Sequence, residues 1–160
     1  MFHNIPMRKI RIYVDTSVIG GCCDPEFQEW SNGLLSDFRS GKFALPLSVL
    51  TDAEVEDAPD EVKDAYLQFR EIALETFGLM DEAAELAEEY LRHKIVTKNY
   101  RDDARHIAIA TVAEADILVS WNFKHIVHFE KIRKFNAVNL ETGYRAISIY
   151  SPREVTTYDH

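Results

Sequence analysis

The run Ile10–Asp15, IRIYVD, constrains the fold more than any other segment of this chain. It is short, rich in β-branched and aromatic residues, and apolar on both faces. That is the pattern of a strand buried on both sides in a parallel sheet, not of one with a wet face. FALPLSV (Phe43 to Val49) reads as a second short strand, weakened by Pro46. ILVS (Ile117 to Ser120) reads as a third, Ala146 to Tyr150 as a last one before Ser151-Pro152, and Thr76 to Leu79 as a short extended piece.

Helical patterns separate these runs. After IRIYVD the residues Thr16-Ser17 and Gly20-Gly21 predict a turn. Asp24-Pro25 then suit the cap and first position of a helix carrying Phe27, Trp30, Leu34, Leu35 and Phe38 inward, with Gly41 ending it. Ser48 or Thr51 can cap a short helix carrying Asp52 to Glu56. Helices are expected over Asp60 to Leu74, Asp81 to His93, Asp102 to Ala115 and Phe123 to Phe135. Strands separated by helices imply a parallel sheet with helices on both faces. In such sheets the ligand site lies beyond the carboxyl ends of the strands, where the strand order reverses.

Composition excludes several classes. The 160 residues fit one domain, residues 1–160 with a core of about 10–155, and the apolar fraction of 46% is that of an ordinary globular chain. No apolar run approaches the roughly 20 residues that span a bilayer. The segment MFHNIPMRKIRIYVD has no apolar stretch of the signal-peptide kind. The two cysteines, Cys22 and Cys23, are adjacent and read as reduced thiols of a cytoplasmic protein. A net charge of -9 argues against broad electrostatic capture of nucleic acid. The charge is uneven, however: from Asp52 to Glu89 only Lys63 and Arg70 oppose the acids, and basic groups gather elsewhere, as at Arg101, Arg105, Lys124 and Lys131.

Five residues fall at the expected carboxyl edge. Asp15 ends the first strand, Glu54 lies just after the second, Asp103 opens the helix before the third, and Ser120 and Asn122 follow the third. Carboxylates held close together repel and raise each other's pKa, so such a cluster favours hard divalent cations. Each residue taken singly has a plainer role: Asp15 suits a turn or helix cap, and Asp103 suits the positive end of a helix. At about 100° per residue, Asp103 falls at the edge of the Ala104/Ile107/Thr111 face and its neighbour Asp102 points away. His125 and His128, three apart on an expected helix, lack the further ligands of a zinc site and suit solvent or phosphate better. His106 reads as packed or hydrogen-bonded near Asp103. There is no glycine-rich phosphate loop.

Taken together, IYVDTSVIGG, an acid within TDAEVED, and DDARHIAIATVAEADILVSWNFKHI resemble the PIN-domain ribonucleases, in particular the toxin-type (VapC-like) domains of type II toxin–antitoxin systems. The resemblance runs from about Ile10 to about Val155. It implies a three-layer α/β/α domain with a mostly parallel sheet of four to five strands. It implies Mg2+- or Mn2+-dependent hydrolysis of single-stranded RNA, with Asp15 and Asp103 holding the metal and Glu54 binding it directly or through water. It also implies a protein antitoxin and a homodimer. The family's fourth acid, in a Thr-x-Asp-like segment, corresponds here to Ser120-Trp121-Asn122, so an amide replaces a carboxylate. Asn122 retains a carbonyl oxygen to offer to a metal or its water. Lys124 or Arg105 would position the RNA backbone. Two other readings differ in class: a PIN-like module that binds RNA or protein without cutting, and a phosphoacceptor domain, which should show paired acids at the first strand and a strand-end lysine that this chain lacks.

Overall fold

The computed structural model describes residues 8–73 and 75–157. Residues 1–7, which begin the segment expected to lack a signal stretch, lie outside the described residues, as does Leu74, the expected end of the helix from Asp60. β1 (Ile10–Val14) is central. It pairs in parallel with β2 (Phe43–Ala44) on one side and β5 (Ile117–Val119) on the other, and β6 (Ser148–Tyr150) lies in parallel beyond β5. The order β2-β1-β5-β6 reverses direction between β1 and β5. β3 (Pro46–Ser48) and β4 (Glu75–Phe77) form a separate parallel pair. The expected second strand is therefore divided at Leu45. Pro46 has no N–H to donate, so the pairing with β1 stops at Ala44 and the chain takes a new partner.

Alternation along β1 makes the three layers. Ile12 and Val14, with Val119 of β5, face α1 (Thr16–Gly21), α2 (Gln28–Arg39) and α4 (Asp60–Ile72), where Val18, Leu34, Phe38 and Phe69 complete a fully or nearly buried cluster. Tyr13, Leu118 and Ile149 face the other way, toward α5 (Asp81–Arg92), α6 (Arg101–Val112) and α7 (Phe129–Glu141). A period of two in the strand thus feeds two apolar layers. α6 lies between the sheet and α5. Ala104, Ala108 and Ala110 are fully buried there, because small side chains allow close approach on both sides. α3 (Val49–Val55) follows β3, and α8 (Pro152–Val155) follows β6 with a capping box between Ser151 and Glu154.

Three expectations are corrected. Residues 16–21 form a helix instead of a turn, because burial of Val18 and Ile19 rewards a helical face against the sheet. α2 begins at Gln28 and not at Asp24-Pro25: the Asp24 carboxylate accepts the Glu26 N–H at 2.9 Å and closes a separate turn. α7 begins at Phe129 and not at Phe123, since the Asn122 side chain accepts the His125 N–H at 2.9 Å and its carbonyl takes the N–H groups of Ile126 and Val127. His125 and His128 therefore do not share a helix.

Gly21 is where two elements meet closely. A Cβ there would stand 2.5 Å from Ser31 Oγ and 2.6 Å from Trp121 Nε1, whereas a Cβ on Gly20 would meet nothing within 4 Å. Gly21→Ala is expected to destabilise by about 1–3 kcal/mol, lowering the melting temperature by roughly 2–4 °C per kcal/mol. Gly20→Ala should leave it unchanged or raise it, since alanine suits a helix interior better. Thermal unfolding followed by circular dichroism measures both; equal melting temperatures would contradict the packing described.

Candidate active site

The reversal between β1 and β5 opens a crevice at the carboxyl ends of the two strands, and Asp15 stands in it. Its backbone occupies the N-cap of α1, but its side chain makes no capping bond. Both carboxylate oxygens are instead held by hydroxyls. Ser17 Oγ donates to Oδ1 at 2.6 Å and Ser120 Oγ donates to Oδ2 at 2.6 Å. Ser120 Oγ accepts the Asn122 N–H and Ser17 Oγ accepts the Trp121 N–H, both at 2.9 Å, so the two strand ends are laced together. Asp15 is only 4% exposed. Burial pushes its carboxyl up from the usual range, and the charge of His106 and the Ser120 and Ser17 hydroxyls offset this in part.

Asp103, in the first turn of α6, shares that field. Burial first, then the charge of Asp15, push it up to about 6, with Glu54 adding in the same direction; His106 and a hydrogen bond from Asn122 act against them. The Asn122 side chain is thus used at both ends. Its carbonyl accepts the His125 N–H, which fixes the amide orientation and leaves the NH2 for Asp103. The Asn122 side-chain oxygen keeps a second lone pair beside the one that accepts the His125 N–H.

Glu54, on α3, is tied to α6 and α1. Its Oε1 forms an ion pair with His106 Nε2 and accepts the Thr16 hydroxyl at 2.9 Å. Burial raises its pKa, but the hydrogen bond and charge of His106 outweigh that and hold Glu54 below the usual carboxylate range. His106 is the reciprocal case. Burial lowers it, and Glu54, Asp15 and Asp103 together hold it above the usual imidazole range. As an imidazolium it donates from Nε2 to Glu54 and from Nδ1 to Tyr13 Oη at 2.6 Å, and Tyr13 Oη bonds Ser48 Oγ at 2.8 Å. Ser48, one of the two expected helix caps, turns its hydroxyl inward to this chain and makes no capping bond.

All five expected site residues, Asp15, Glu54, Asp103, Ser120 and Asn122, thus stand at one edge. Sequence reasoning missed Tyr13, Thr16 and Ser17, and it left the partner of His106 undefined. One signal was present: His106 lies three residues after Asp103 on the same helix, which places both near one face. Arg105 is paired with Asp102 at 3.2 Å, while the Lys124 ammonium lies 5.7 Å from the centre of the Tyr100 ring. Among the described residues, no three His, Cys, Asp or Glu side chains stand together as a formed metal site. The donors at the centre nevertheless fit a small hard divalent cation. They are oxygens of two carboxylates that repel each other, and magnesium commonly uses one or two carboxylates with water and substrate phosphate for the rest.

No protein-family model matches the sequence, and no curated protein does. Solved structures do match. A chain of VapBC2 from Rickettsia felis, bound to a DNA fragment from its promoter, is similar over 89% of this chain and 98% of that one, with 12% identity and a TM-score of 0.56. A chain of FitAB bound to an IR36 DNA fragment is similar over 93% and 98%, with 14% identity and a TM-score of 0.56. At these identities the likeness is one of fold, and the fold is the PIN-like α/β/α arrangement.

The raised pKa of Asp103 has a definite sign. Below about pH 4 the group is protonated in both the folded and unfolded chain and contributes no penalty. Between there and about pH 6 the unfolded chain ionises first, so stability falls as pH rises, and above about 6 the penalty is complete. Asp103→Asn should therefore stabilise the metal-free protein at pH 7–8 by about 1 kcal/mol, after allowance for its partial exposure. It should give little gain at pH 4. Melting curves of both proteins in chelator across this range test it; a variant destabilised at every pH would contradict the mutual repulsion described.

Proposed function

We propose that this chain is a divalent-metal-dependent endoribonuclease that hydrolyses phosphodiester bonds of single-stranded RNA, as the toxin of a toxin–antitoxin pair. The observation that carries the reading is Asp15: a buried carboxylate, held by two hydroxyls and electrostatically coupled to Asp103, at the reversal point of a PIN-like sheet. The resemblance of the sequence to toxin-type PIN domains supports the activity. The fold likeness to chains of VapBC2 and FitAB, each solved with DNA, supports a protein antitoxin as partner. A homodimer is expected on the same resemblance. Among the described residues no helix is long and apolar enough to cross a membrane.

Asp15 and Asp103 would hold Mg2+ or Mn2+. The bound cation supplies Lewis-acid charge for the scissile phosphate and lowers the pKa of the attacking water. The chain's own groups do the positioning. Ser17 and Ser120 fix both oxygens of Asp15. Asn122 steadies Asp103. His106 and Thr16 hold Oε1 of Glu54, leaving Oε2 to orient water at the rim of the site. With Arg105 engaged by Asp102, Lys124 is the better placed of the two cations to meet the RNA backbone.

One observation favours a second reading, a PIN-like module that binds RNA or protein with weak or no cleavage: the fourth acidic position is an amide, which adds no negative charge for a metal. Asp15→Asn and Asn122→Asp separate the two. On mixed single-stranded RNA with saturating Mg2+ or Mn2+, Asp15→Asn should lose about 100-fold or more in rate, beyond what loss of an outer partner gives. Asn122→Asp adds a fourth carboxylate beside Asp15, Asp103 and Glu54, and should bind metal more tightly while destabilising the metal-free protein. An Asp15→Asn protein that cuts as fast as wild type would overturn the nuclease reading; a wild type that binds RNA without cutting it would favour the second.

A further inference from the structure

We infer that Tyr100, Lys124, His125 and Lys131 form a subsite for an RNA backbone phosphate beside the Asp15–Asp103 pair, an inference that rests on RNA being the substrate. The subsite is built on Asn122. Because its side chain accepts the His125 N–H and its carbonyl takes those of Ile126 and Val127, the residues after β5 form a tight turn, with Lys124 exposed and His125 only 7% exposed. The Asn122 N–H also donates to Ser120 Oγ, which in turn donates to Asp15, so the turn and that carboxylate are held in one frame. Tyr100, which directly precedes α6, closes the other side. Its ring centre lies 3.8 Å from that of His125, and the Lys124 ammonium lies 5.7 Å from the Tyr100 ring centre.

The hydrogen-bonding state of His125 indicates what is missing. Lys131 Nζ stands 3.3 Å from His125 Nδ1. An ammonium only donates, so Nδ1 accepts, the ring is neutral and the proton sits on Nε2. Burial and then the charges of Lys131 and Lys124 hold the imidazole below its usual range, in agreement with a neutral ring. Nε2–H is buried and has no acceptor among the described residues. A buried donor without a partner costs on the order of 1–3 kcal/mol, so it calls for an acceptor. Arg101, Arg105 and Arg133 are each engaged by a carboxylate, whereas neither Lys124 nor Lys131 has one among the described residues. Two ammonium groups and an orphan N–H against an aromatic ring, in a chain of net charge -9, select an anion with several acceptor oxygens. A phosphodiester adjoining the scissile one has that chemistry.

The test compares two double variants that each remove two charges: Lys124→Ala/Lys131→Ala, and Arg133→Ala/Lys134→Ala on α7. Binding of a fluorescein-labelled single-stranded oligoribonucleotide is followed by anisotropy at several salt concentrations, and cleavage of the same RNA is followed in parallel. Lys124→Ala/Lys131→Ala should weaken binding about tenfold near 0.1 M salt and flatten the log K against log salt slope by about 0.7 for each lysine. It should raise KM while kcat stays within about twofold. Arg133→Ala/Lys134→Ala should change these much less. Equal effects of the two double variants, or an unchanged slope for Lys124→Ala/Lys131→Ala, would overturn the subsite. A wild type that binds RNA with the expected lysine dependence but does not cut it would leave the subsite standing and refute the nuclease reading; a wild type that does neither refutes both.

Discussion

A carboxylate that is 4% exposed and accepts neutral hydroxyls at both oxygens is an expensive group to bury, and Asp15 is held in that state where β1 and β5 diverge. Much of the surrounding structure serves to hold it. Ser17 comes from the start of α1 and Ser120 from the end of β5, so satisfying one carboxylate also ties together the two strands that flank the reversal of strand order. Asp103 enters the same crevice from α6 and is pushed up to about 6, first by burial and then by Asp15. A buried acid whose charge raises the pKa of a second acid in the same crevice favours a proton or a cation there.

His106 explains why the edge tolerates a third acid. It is buried between Glu54 and Tyr13, and its positive charge acts on Asp15 and Asp103 as well as on Glu54. One internal cation therefore serves three carboxylates, and this is less than their combined charge. Removing His106 would leave Glu54 and the Tyr13–Ser48 pair without their common partner, so its role is to position Glu54 and to moderate the field.

Most of the architecture was legible in the sequence, because apolar residues on both faces of IRIYVD allow little other than a strand between two helical layers. The placement of Asp103 over Asp102 followed from helical geometry. What was not legible depended on tertiary partners. α1 looked like a turn because Thr-Ser and Gly-Gly dominate its local preference, and only the burial of Val18 and Ile19 makes it helical. The start of α7 was misplaced because Asn122 spends its side chain on a turn that local periodicity does not reveal. The five site residues could be named from their positions at element ends, but their wiring could not. That Asn122 takes the His125 N–H, and that Ser48 faces Tyr13, are facts of packing.

On the proposed function, Asp15 and Asp103 together hold a divalent cation. Titration calorimetry of Mg2+ or Mn2+ into the wild-type protein near pH 7.5, with Asp15→Asn as reference, tests it most directly. Saturable binding is expected in the wild type, with little proton release at pH 7.5 and more as the pH falls toward and below about 6, where Asp103 carries its proton; Asp15→Asn should lose that binding. Binding of equal strength in both proteins, or none in the wild type, would contradict it.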